Sequence, residues 1–354
     1  MKDEWAEKDK KDDKDKIFDI KVDKEKIEKA WKIDFVESKD SEGLNIKGYD
    51  FSKDFDFDKF LNSYTSTGFQ ASHLGIAIDI IKEMRKENAT IFLAYNTNMV
   101  SSGLREIIAY LVKNNFVHVL ITTAGGVEED IMKTFKPFVL GSFGMDGKTL
   151  REKGINRIGN ILVPNDRYIE LEKFMKKFLG KIYDEEKETG KVLCPSDFIY
   201  KLGKEVSNEN SENSIYYWAA KNKIPCFCPA LTDGSIGDNI YFFKQKYPDF
   251  KIDISEDIVR IVNIALNAEK TGIIMLGGGF VKHHVCNANL FREGANYVVY
   301  VSTDTEEGGS DSGARPDEAV SWGKIKAKPD GRMIKVYGDA TIIFPLIVAG
   351  AFRK

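Results

Sequence analysis

Short apolar runs that alternate with helical patterns restrict the possible folds of this chain more than any other feature. The runs Thr90–Tyr95 and Val117–Thr122 are each followed by a polar turn and then by a helical pattern. Two more apolar runs, Gly272–Leu276 and Tyr297–Val301, occur nearer the carboxyl end. Strand–turn–helix units at this spacing predict a parallel sheet with ligands at the carboxyl ends of its strands. We therefore predict an α/β, Rossmann-like nucleotide-binding fold in which helices flank a central parallel sheet.

The remaining elements are predicted from apolar spacing and from capping residues. Helices are expected over residues 68–87, 102–113, 166–189, 214–222 and 255–269, and a strand over residues 224–230. Another helix should follow Pro195 with Ser196 as its N-cap, and Asp339 should cap the last helix. Residues 151–164 are expected to form a turn-rich connection into one apolar strand.

Composition argues against several classes of protein. The 354 residues are 42% hydrophobic and 30% charged, which is ample for a large core, and the net charge of -3 gives no basic field for nucleic acid. Neither a run of the roughly 18 apolar residues that span a bilayer nor an apolar signal core is present. The four cysteines contain no C-x2-C pair, and His283 and His284 are adjacent, which disfavours zinc. We predict a cytoplasmic protein with reduced thiols, no metal and no membrane or nucleic-acid partner.

Residues 1–16 form a charged N-terminal arm. Thirteen of these residues are charged, six positively and seven negatively, so the arm cannot bury enough apolar surface to fold alone. A disordered arm is the simplest expectation, and a helix that docks on a neighbouring subunit through Trp5 is the alternative. Residues 17–354 show no internal repeat and no linker, which predicts a single catalytic domain.

The stretch from Gly277 to Lys324 concentrates the groups with chemical function. It contains three consecutive glycines, two histidines and a loop rich in Gly, Ser and Asp, and it ends with Glu318, Trp322 and Lys324. Carboxylates neutralise ammonium groups, and an indole attracts a nearby cation by about 0.5–2 kcal/mol. A lysine near apolar surface becomes a nucleophile toward imines. One such lysine alone is usually solvated surface, but the whole set predicts covalent chemistry by a lysine on a polycationic amine.

The order and spacing of these residues resemble deoxyhypusine synthase. The resemblance is carried by GGGFVKHHVCNANL and GSDSGARPDEAVSWGKI and, upstream, by TNMVSSGLRE, TTAGGVEED, GINRIGN and PALTDGSIGD. These segments lie in one order across residues 51–352, nearly the whole chain after the arm. The resemblance implies NAD-dependent transfer of the aminobutyl group of spermidine, through a covalent imine on Lys324, to one lysine of the translation initiation factor 5A precursor.

The resemblance also assigns roles to individual residues. The expected catalytic residues are Lys324, the covalent nucleophile, and His283, the proton acceptor. The expected substrate-binding residues are Glu128, Glu129, Asp238, His283, Gly309, Ser310, Asp311, Glu318, Trp322 and Lys324, with Asn287 in the same pocket. The expected NAD-binding residues are Thr97, Asn98, Met99, Val100, Ser101, Thr123, Ala124, Gly125, Glu129, Asp233, Gly278, Thr303, Asp304, Asp339 and Ala340.

The residues alone leave part of this assignment open. Neither turn after the first two strands matches G-x-G-x-x-G, so the NAD expectation rests on the resemblance. Asp233 and Asp238 could simply cap a helix. The sequence also departs from the family pattern, because Gly308 replaces a common aspartate and Asp304 a common alanine. Both departures concern substrate affinity more than reaction type.

The identity of the acceptor and the assembly also rest on the resemblance. A homospermidine synthase would use the same machinery with putrescine as acceptor, and a regulatory paralogue would keep the fold and the NAD site without activity. A plain NAD-dependent dehydrogenase would release NADH. Members of the family are tetramers made of two dimers, and some have an N-terminal segment over the active-site entrance. We therefore expect a homotetramer with active sites between subunits and consider a lid role for the arm.

Overall fold

The computed structural model describes residues 20–34, 40–327, 329 and 331–353. The chain divides into two compact units, one ending at Asn45 and the other beginning at Ile46. In the described part of the first unit, helix α1 spans Lys24–Asp34. The charged arm predicted for residues 1–16 lies outside the described residues, so its boundary with a domain over 17–354 stays a prediction.

The second unit alternates strands and helices. Its strands are β1 (Thr90–Tyr95), β2 (Val119–Thr122), β3 (Val139–Leu140), β4 (Ile155–Ile158), β5 (Ile161–Pro164), β6 (Cys226–Phe227), β7 (Thr271–Leu276), β8 (Tyr297–Ser302) and β9 (Arg332–Tyr337). Its helices are α2 (Phe57–Thr67), α3 (Phe69–Lys86), α4 (Thr97–Ser101), α5 (Leu104–Lys113), α6 (Ala124–Phe135), α7 (Gly147–Glu152), α8 (Asn165–Thr189), α9 (Pro195–Glu205), α10 (Ile215–Asn222), α11 (Ser235–Lys246), α12 (Ser255–Asn267), α13 (Phe280–Ala288), α14 (Pro316–Ser321) and α15 (Ala340–Ala351). Short 3-10 turns span Ser211–Asn213, Leu290–Arg292 and Glu306–Gly308.

The main sheet is parallel and has the strand order β6-β2-β1-β7-β8-β9 within the described residues. β1 therefore has β2 on one side and β7 on the other, and the chain order reverses between β1 and β7. Such a reversal opens a crevice at the carboxyl ends of the strands. Tyr95 pairs with both Thr122 and Leu276, and Leu276 pairs with Val301. The central strands thus end level with one another, and the residues that follow them meet at one edge.

Helices cover both faces of this sheet. Leu93 and Tyr95 of β1 pack into one core cluster with α3, α5, α10 and α15. Phe92 and Ala94 point to the opposite face and pack with α12 and α13. Because each face is buried, β1, β7 and β8 need apolar side chains at almost every position, which explains the continuous apolar runs in the sequence.

Most of the predicted elements are confirmed, and the differences have local causes. The predicted strand over residues 224–230 is shorter, because only Cys226–Phe227 pair with β2. The predicted N-cap Ser196 is wrong, since Cys194 is the N-cap and Pro195 takes the first helical position. The Ser196 hydroxyl instead donates to the distant Asp257 at 2.6 Å.

The connection before α8 contains more sheet than the sequence indicated. One apolar strand was predicted in residues 151–164, but two strands, β4 and β5, occur there and form an antiparallel sheet with β3. No helix in the described residues is long and apolar enough to cross a membrane.

A buried ion pair fixes the helix that follows β2. Asp130 of α6 is fully buried and accepts from Arg105 Nε at 2.7 Å. The same carboxylate accepts from Ser214 Oγ at 2.5 Å and from Ile215 N at 3.0 Å. One side chain therefore joins α5, α6 and the start of α10, and it holds in place the helix that begins at the ligand edge of the sheet.

Asp130→Asn should lower the free energy of unfolding by roughly 3 kcal/mol, because the buried Arg105 guanidinium loses its buried carboxylate partner and keeps only the exposed Glu106. Urea titration of the full-length protein measures this loss. Asp249→Asn is the control, since it removes an exposed ion pair with Lys187 and should have a much smaller effect. Equal losses in the two variants would contradict a structural role for the buried pair.

Candidate active site

The positions that the resemblance assigns to NAD fall where the parallel strands end. Thr97–Ser101 form α4 after β1, and Thr123 is the N-cap of α6 after β2. Gly278 follows β7, and Thr303 with Asp304 follows β8. Asp339 caps α15 after β9, as predicted, with Oδ1 accepting from Thr341 N at 2.7 Å. Asp233 lies in the segment between β6 and α11. The fold therefore brings these separated segments to one edge of the sheet.

Small residues let α4 and α6 approach each other closely at this edge. Thr97 Oγ1 lies 2.6 Å from Thr123 Oγ1. A Cβ atom added to Gly125 would lie 2.5 Å from the Thr97 side chain, so glycine is required there. Ser101 Oγ donates to the Glu129 carboxylate and completes the contact between the two helices.

The structure fits the requirements of a dinucleotide site at the crevice between β1 and β7. Gly277 has a φ of +90° and Gly279 a φ of +66°, which is the left-handed region that favours glycine. α13 begins at once after them, so its first backbone amides face the strand ends, where an anionic group is favoured. The Thr122 hydroxyl is fully buried at the end of β2 without a partner in the described residues. A ligand can approach the backbone of this glycine turn closely, the first amides of α13 can donate to a phosphate, and the Thr122 hydroxyl is unpaired. These three features suit a ligand that contains phosphate and ribose.

Two neighbouring carboxylates in α6 are buried beside this crevice. Glu128 Oε2 accepts from Ile236 N at 2.8 Å and thereby holds the start of α11. Burial raises the pKa of Glu128, although the amides of Ile236 and Ser235 oppose the increase. Burial raises the pKa of Glu129 to about 7, with the Ser101 hydrogen bond opposing it and the Glu128 charge adding to it. Glu129 can therefore gain or lose a proton near neutral pH.

A separate cavity of about 420 Å³ collects most of the predicted catalytic and substrate-binding groups. α13 contributes one face, on which His283 and Asn287 lie one helical turn apart. Asp311 and Ala314 of the loop after β8, and residues of α14, also line the cavity. The predicted residues in this cavity are His283, Asn287, Asp311, Glu318, Trp322 and Lys324.

Lys324 is held by its backbone, while its amine makes neither a hydrogen bond nor an ion pair within the described residues. Its N–H donates to Ala319 O and its carbonyl accepts from Ala295 N, both at 3.0 Å. Its half-buried Nζ lies 5.3 Å from the centre of the Trp322 ring. This Nζ makes no hydrogen bond or ion pair to any residue that the structure describes. The amine is therefore positioned in the cavity and free to react.

The two adjacent histidines have different environments. His283 is exposed and lines the cavity, so its imidazole can exchange protons with a bound amine. Burial, together with the neighbouring His283, lowers the pKa of His284 to about 4 and keeps that ring neutral. Of the two histidines, only His283 lines the cavity, so it remains the candidate base.

Other predicted substrate residues do not reach this cavity in a single chain. Asp238 is exposed and lines a different cleft of about 370 Å³ with Tyr168 and Phe242. Gly309 and Ser310 are exposed in the loop before Asp311 but do not line the cavity. The predicted substrate set is therefore divided between two places on the molecule.

Sequence reasoning missed Lys282 and Tyr168. Lys282 lines the Lys324 cavity although its side chain is only 3% exposed. The available signal was its position on α13 four residues before the buried Cys286, on the same helix face. Tyr168 lines the Asp238 cleft, and burial, followed by the charges of Glu129 and Glu128, raises its pKa to about 12.

Comparisons with known proteins agree with one another. A family model described as deoxyhypusine synthase matches residues 59–351. A probable deoxyhypusine synthase from Methanocaldococcus jannaschii is 53% identical over 324 residues, covering 88% of this chain and 98% of that protein. A probable deoxyhypusine synthase from Drosophila melanogaster is 46% identical over 332 residues, covering 87% of this chain and 89% of that protein. The crystal structure of a deoxyhypusine synthase candidate from Entamoeba histolytica superposes with a TM-score of 0.64 at 32% identity, covering 87% and 96%.

Glu129 should make the ligand-free protein less stable as the pH rises. Its folded pKa of about 7 lies above the ordinary 4.5, so the protonated form is favoured by folding. This contribution, about 3 kcal/mol, is complete below about pH 4.5 and is lost as the pH rises through about 7. Urea unfolding of Glu129→Gln between about pH 5 and pH 8 should therefore show a weaker decline than the natural protein.

The exposed Glu188→Gln on the surface of α8 is the control for this comparison and should keep the natural decline. The same pH dependence in all three proteins would show that Glu129 titrates in its ordinary range.

Proposed function

Since the chain belongs to the deoxyhypusine synthase family, we propose that it transfers the aminobutyl group of spermidine to a specific lysine of the translation initiation factor 5A precursor. The observation that carries this proposal is the 420 Å³ cavity in which an unpartnered lysine amine meets a histidine, an indole and two carboxylates. Each of these groups has a distinct task in moving an alkylamine fragment between nitrogen atoms.

The carboxylates of Asp311 and Glu318 would bind the cationic nitrogens of spermidine. Neither carboxylate has a hydrogen-bond or ion-pair partner among the described residues, so each is free to accept from an ammonium group. Trp322, which is 65% exposed, presents a flat apolar surface for the methylene chain between those nitrogens. Carboxylates that flank an indole thus favour a flexible polycation over a neutral or anionic substrate.

NAD, when bound, would accept and later return the hydride that makes the carbon beside the secondary nitrogen electrophilic. NAD would be held by residues at the strand ends, above all helix α4, Thr123, the Gly277–Gly279 turn and Asp339. Glu129 would lie where the dinucleotide and substrate sites meet, and its pKa of about 7 lets it donate or accept a hydrogen bond.

Lys324 would act as the covalent carrier. Its uncharged Nζ attacks the electrophilic carbon, the bond from that carbon to the secondary nitrogen breaks, and a three-carbon diamine leaves. His283 takes the proton from the reacting amine, since an imidazole exchanges protons near neutral pH. The acceptor lysine then displaces Lys324, which regenerates the free amine, and the final reduction gives the secondary amine product.

We also propose that the working enzyme is a homotetramer with active sites between subunits. Asp238 lies outside the Lys324 cavity of its own chain, so a second copy would complete the substrate set. Large apolar side chains near both places are exposed, including Phe242 at 71% and Phe291 at 68%. Contact between copies would bury such side chains and bring the two partial sites together.

Spermidine labelled in its aminobutyl arm tests the reaction. With NAD and the factor 5A precursor, label should appear on one lysine of that protein, with one three-carbon diamine released per transfer and no net NADH. Putrescine as acceptor is the comparison. Label that enters only putrescine would indicate homospermidine synthesis, no transfer would favour a regulatory subunit, and net NADH would indicate a plain dehydrogenase.

Lys324→Arg should abolish transfer while NAD binding persists. An arginine keeps the positive charge but stays protonated, so it cannot form the imine, and the transfer rate should fall by roughly three orders of magnitude or more. Lys326→Arg is the matched control, because it changes a lysine two residues away that does not line the cavity. Transfer rates and equilibrium NAD titration of both variants measure the two effects, and turnover by Lys324→Arg at the natural rate would disprove the covalent route.

A further inference from the structure

The loop over residues 304–314, here called the acidic loop, connects the two candidate ligand sites. Asp304 at its start is one of the positions assigned to NAD, and Asp311 near its end lines the Lys324 cavity. Most of the loop is exposed, and it contains no regular element beyond one short 3-10 turn, Glu306–Gly308. A loop of this kind needs external contacts to keep one conformation.

Lys282 supplies such contacts from the α13 side. Its Nζ donates to Asp311 O at 2.5 Å and to Ala314 O at 2.9 Å. The same ammonium lies 4.8 Å from the centre of the Tyr300 ring, which is buried in β8. No carboxylate pairs with this amine in the described residues. A buried cation is thus satisfied by two backbone carbonyls and an aromatic face.

Lys335 supplies the matching contacts from β9. Its half-buried Nζ donates to Asp304 O at 2.7 Å and also to Gly313 O. The two lysines therefore hold four carbonyls of one loop from two different elements. Lys282 holds the end that carries Asp311, whereas Lys335 bridges the first residue of the loop to its last turn.

Glycines make the loop fold tightly between these two ammonium groups. A Cβ atom on Gly313 would lie 1.9 Å from Thr305 O, so the two ends of the loop touch. A Cβ atom on Gly278 would lie 2.4 Å from Ser312 Cα, so the loop also rests on the turn after β7. The loop therefore borders both the cavity and the turn after β7.

We propose that Lys282 and Lys335 are positioning residues that fix the acidic loop through its backbone and leave the Asp311 carboxylate free for substrate. An ion pair between Lys282 and the Asp311 carboxylate would fix the loop as well, but it would occupy the group that binds the cationic substrate. Bonding to carbonyls avoids that competition. The inference rests on the proposed function for its ligands, spermidine and NAD.

The two lysines should have separable effects on ligand binding. Lys282→Met should weaken spermidine binding by about tenfold or more, because charged hydrogen bonds that position Asp311 are lost, and change NAD binding by less than about twofold. Lys335→Met should weaken NAD binding and leave spermidine binding nearly unchanged, since it releases the start of the acidic loop at Asp304. Lys282→Arg retains donors and charge and should recover much of the spermidine affinity. Calorimetric titration of the full-length protein with each ligand measures these dissociation constants.

Amide hydrogen exchange gives a readout that needs no ligand. The N–H groups of Gly308, Gly309, Gly313 and Ala314 donate to carbonyls within the loop, so they are protected while the loop stays folded. Both Met variants should exchange these amides faster than the natural protein, whereas the control Lys326→Met should not. If Lys282→Met fails to fold, Lys282→Gln, which removes the charge and has a shorter side chain, takes its place with the same expected results.

Unchanged exchange and unchanged affinities in both Met variants would overturn the proposal, as would a parallel loss of both ligands in each variant. An error in the proposed function would give a different set of results. In that case the natural protein itself would bind no spermidine, while faster exchange in the Met variants would still confirm the two-lysine contacts.

Discussion

The reversal of strand order between β1 and β7 is the constraint on which the rest of the site depends. Strands that run parallel and end in register deliver every following turn to the same edge of the sheet. Segments more than two hundred residues apart, from Thr97 to Asp339, meet there for that reason. Two segments that line the Lys324 cavity also start from this edge, because α13 follows β7 and the acidic loop follows β8.

The charged groups in and around the site differ in whether they are engaged by the protein, and this difference separates structural from functional roles. Asp130 and Lys282 are buried and fully engaged, the first by Arg105, Ser214 and Ile215 and the second by loop carbonyls. A buried charge without such partners would cost several kcal/mol. Asp311, Glu318 and Lys324, by contrast, lie at the cavity without partners in the described residues. The engaged charges hold the scaffold, and the unengaged ones are left to act on a ligand.

Sequence predicts well those features that depend on local periodicity. β1 was predicted at its observed bounds, because its apolar run is followed by a polar turn. The resemblance likewise predicted six of the residues that share the Lys324 cavity. The N-cap of α9 was predicted wrongly because the partner of Ser196 is Asp257, far along the chain. The roles of Lys282 and Lys335 were missed because their partners are backbone carbonyls. Every residue has one, so the sequence does not show which of them accept from a lysine. The division between the Asp238 cleft and the Lys324 cavity depends on tertiary packing that no local pattern records.

The central claim is that Lys324 carries the aminobutyl group covalently. Lys282 is the alternative carrier, since both lysines line one cavity and burial lowers the pKa of Lys282. Borohydride reduction of the enzyme during turnover with NAD and labelled spermidine, followed by peptide mass spectrometry, distinguishes them directly. An aminobutyl adduct on Lys324 alone is the predicted result, because only that amine is free of hydrogen bonds. An adduct on Lys282, or the absence of any adduct from an enzyme that still transfers label, would contradict the covalent role of Lys324.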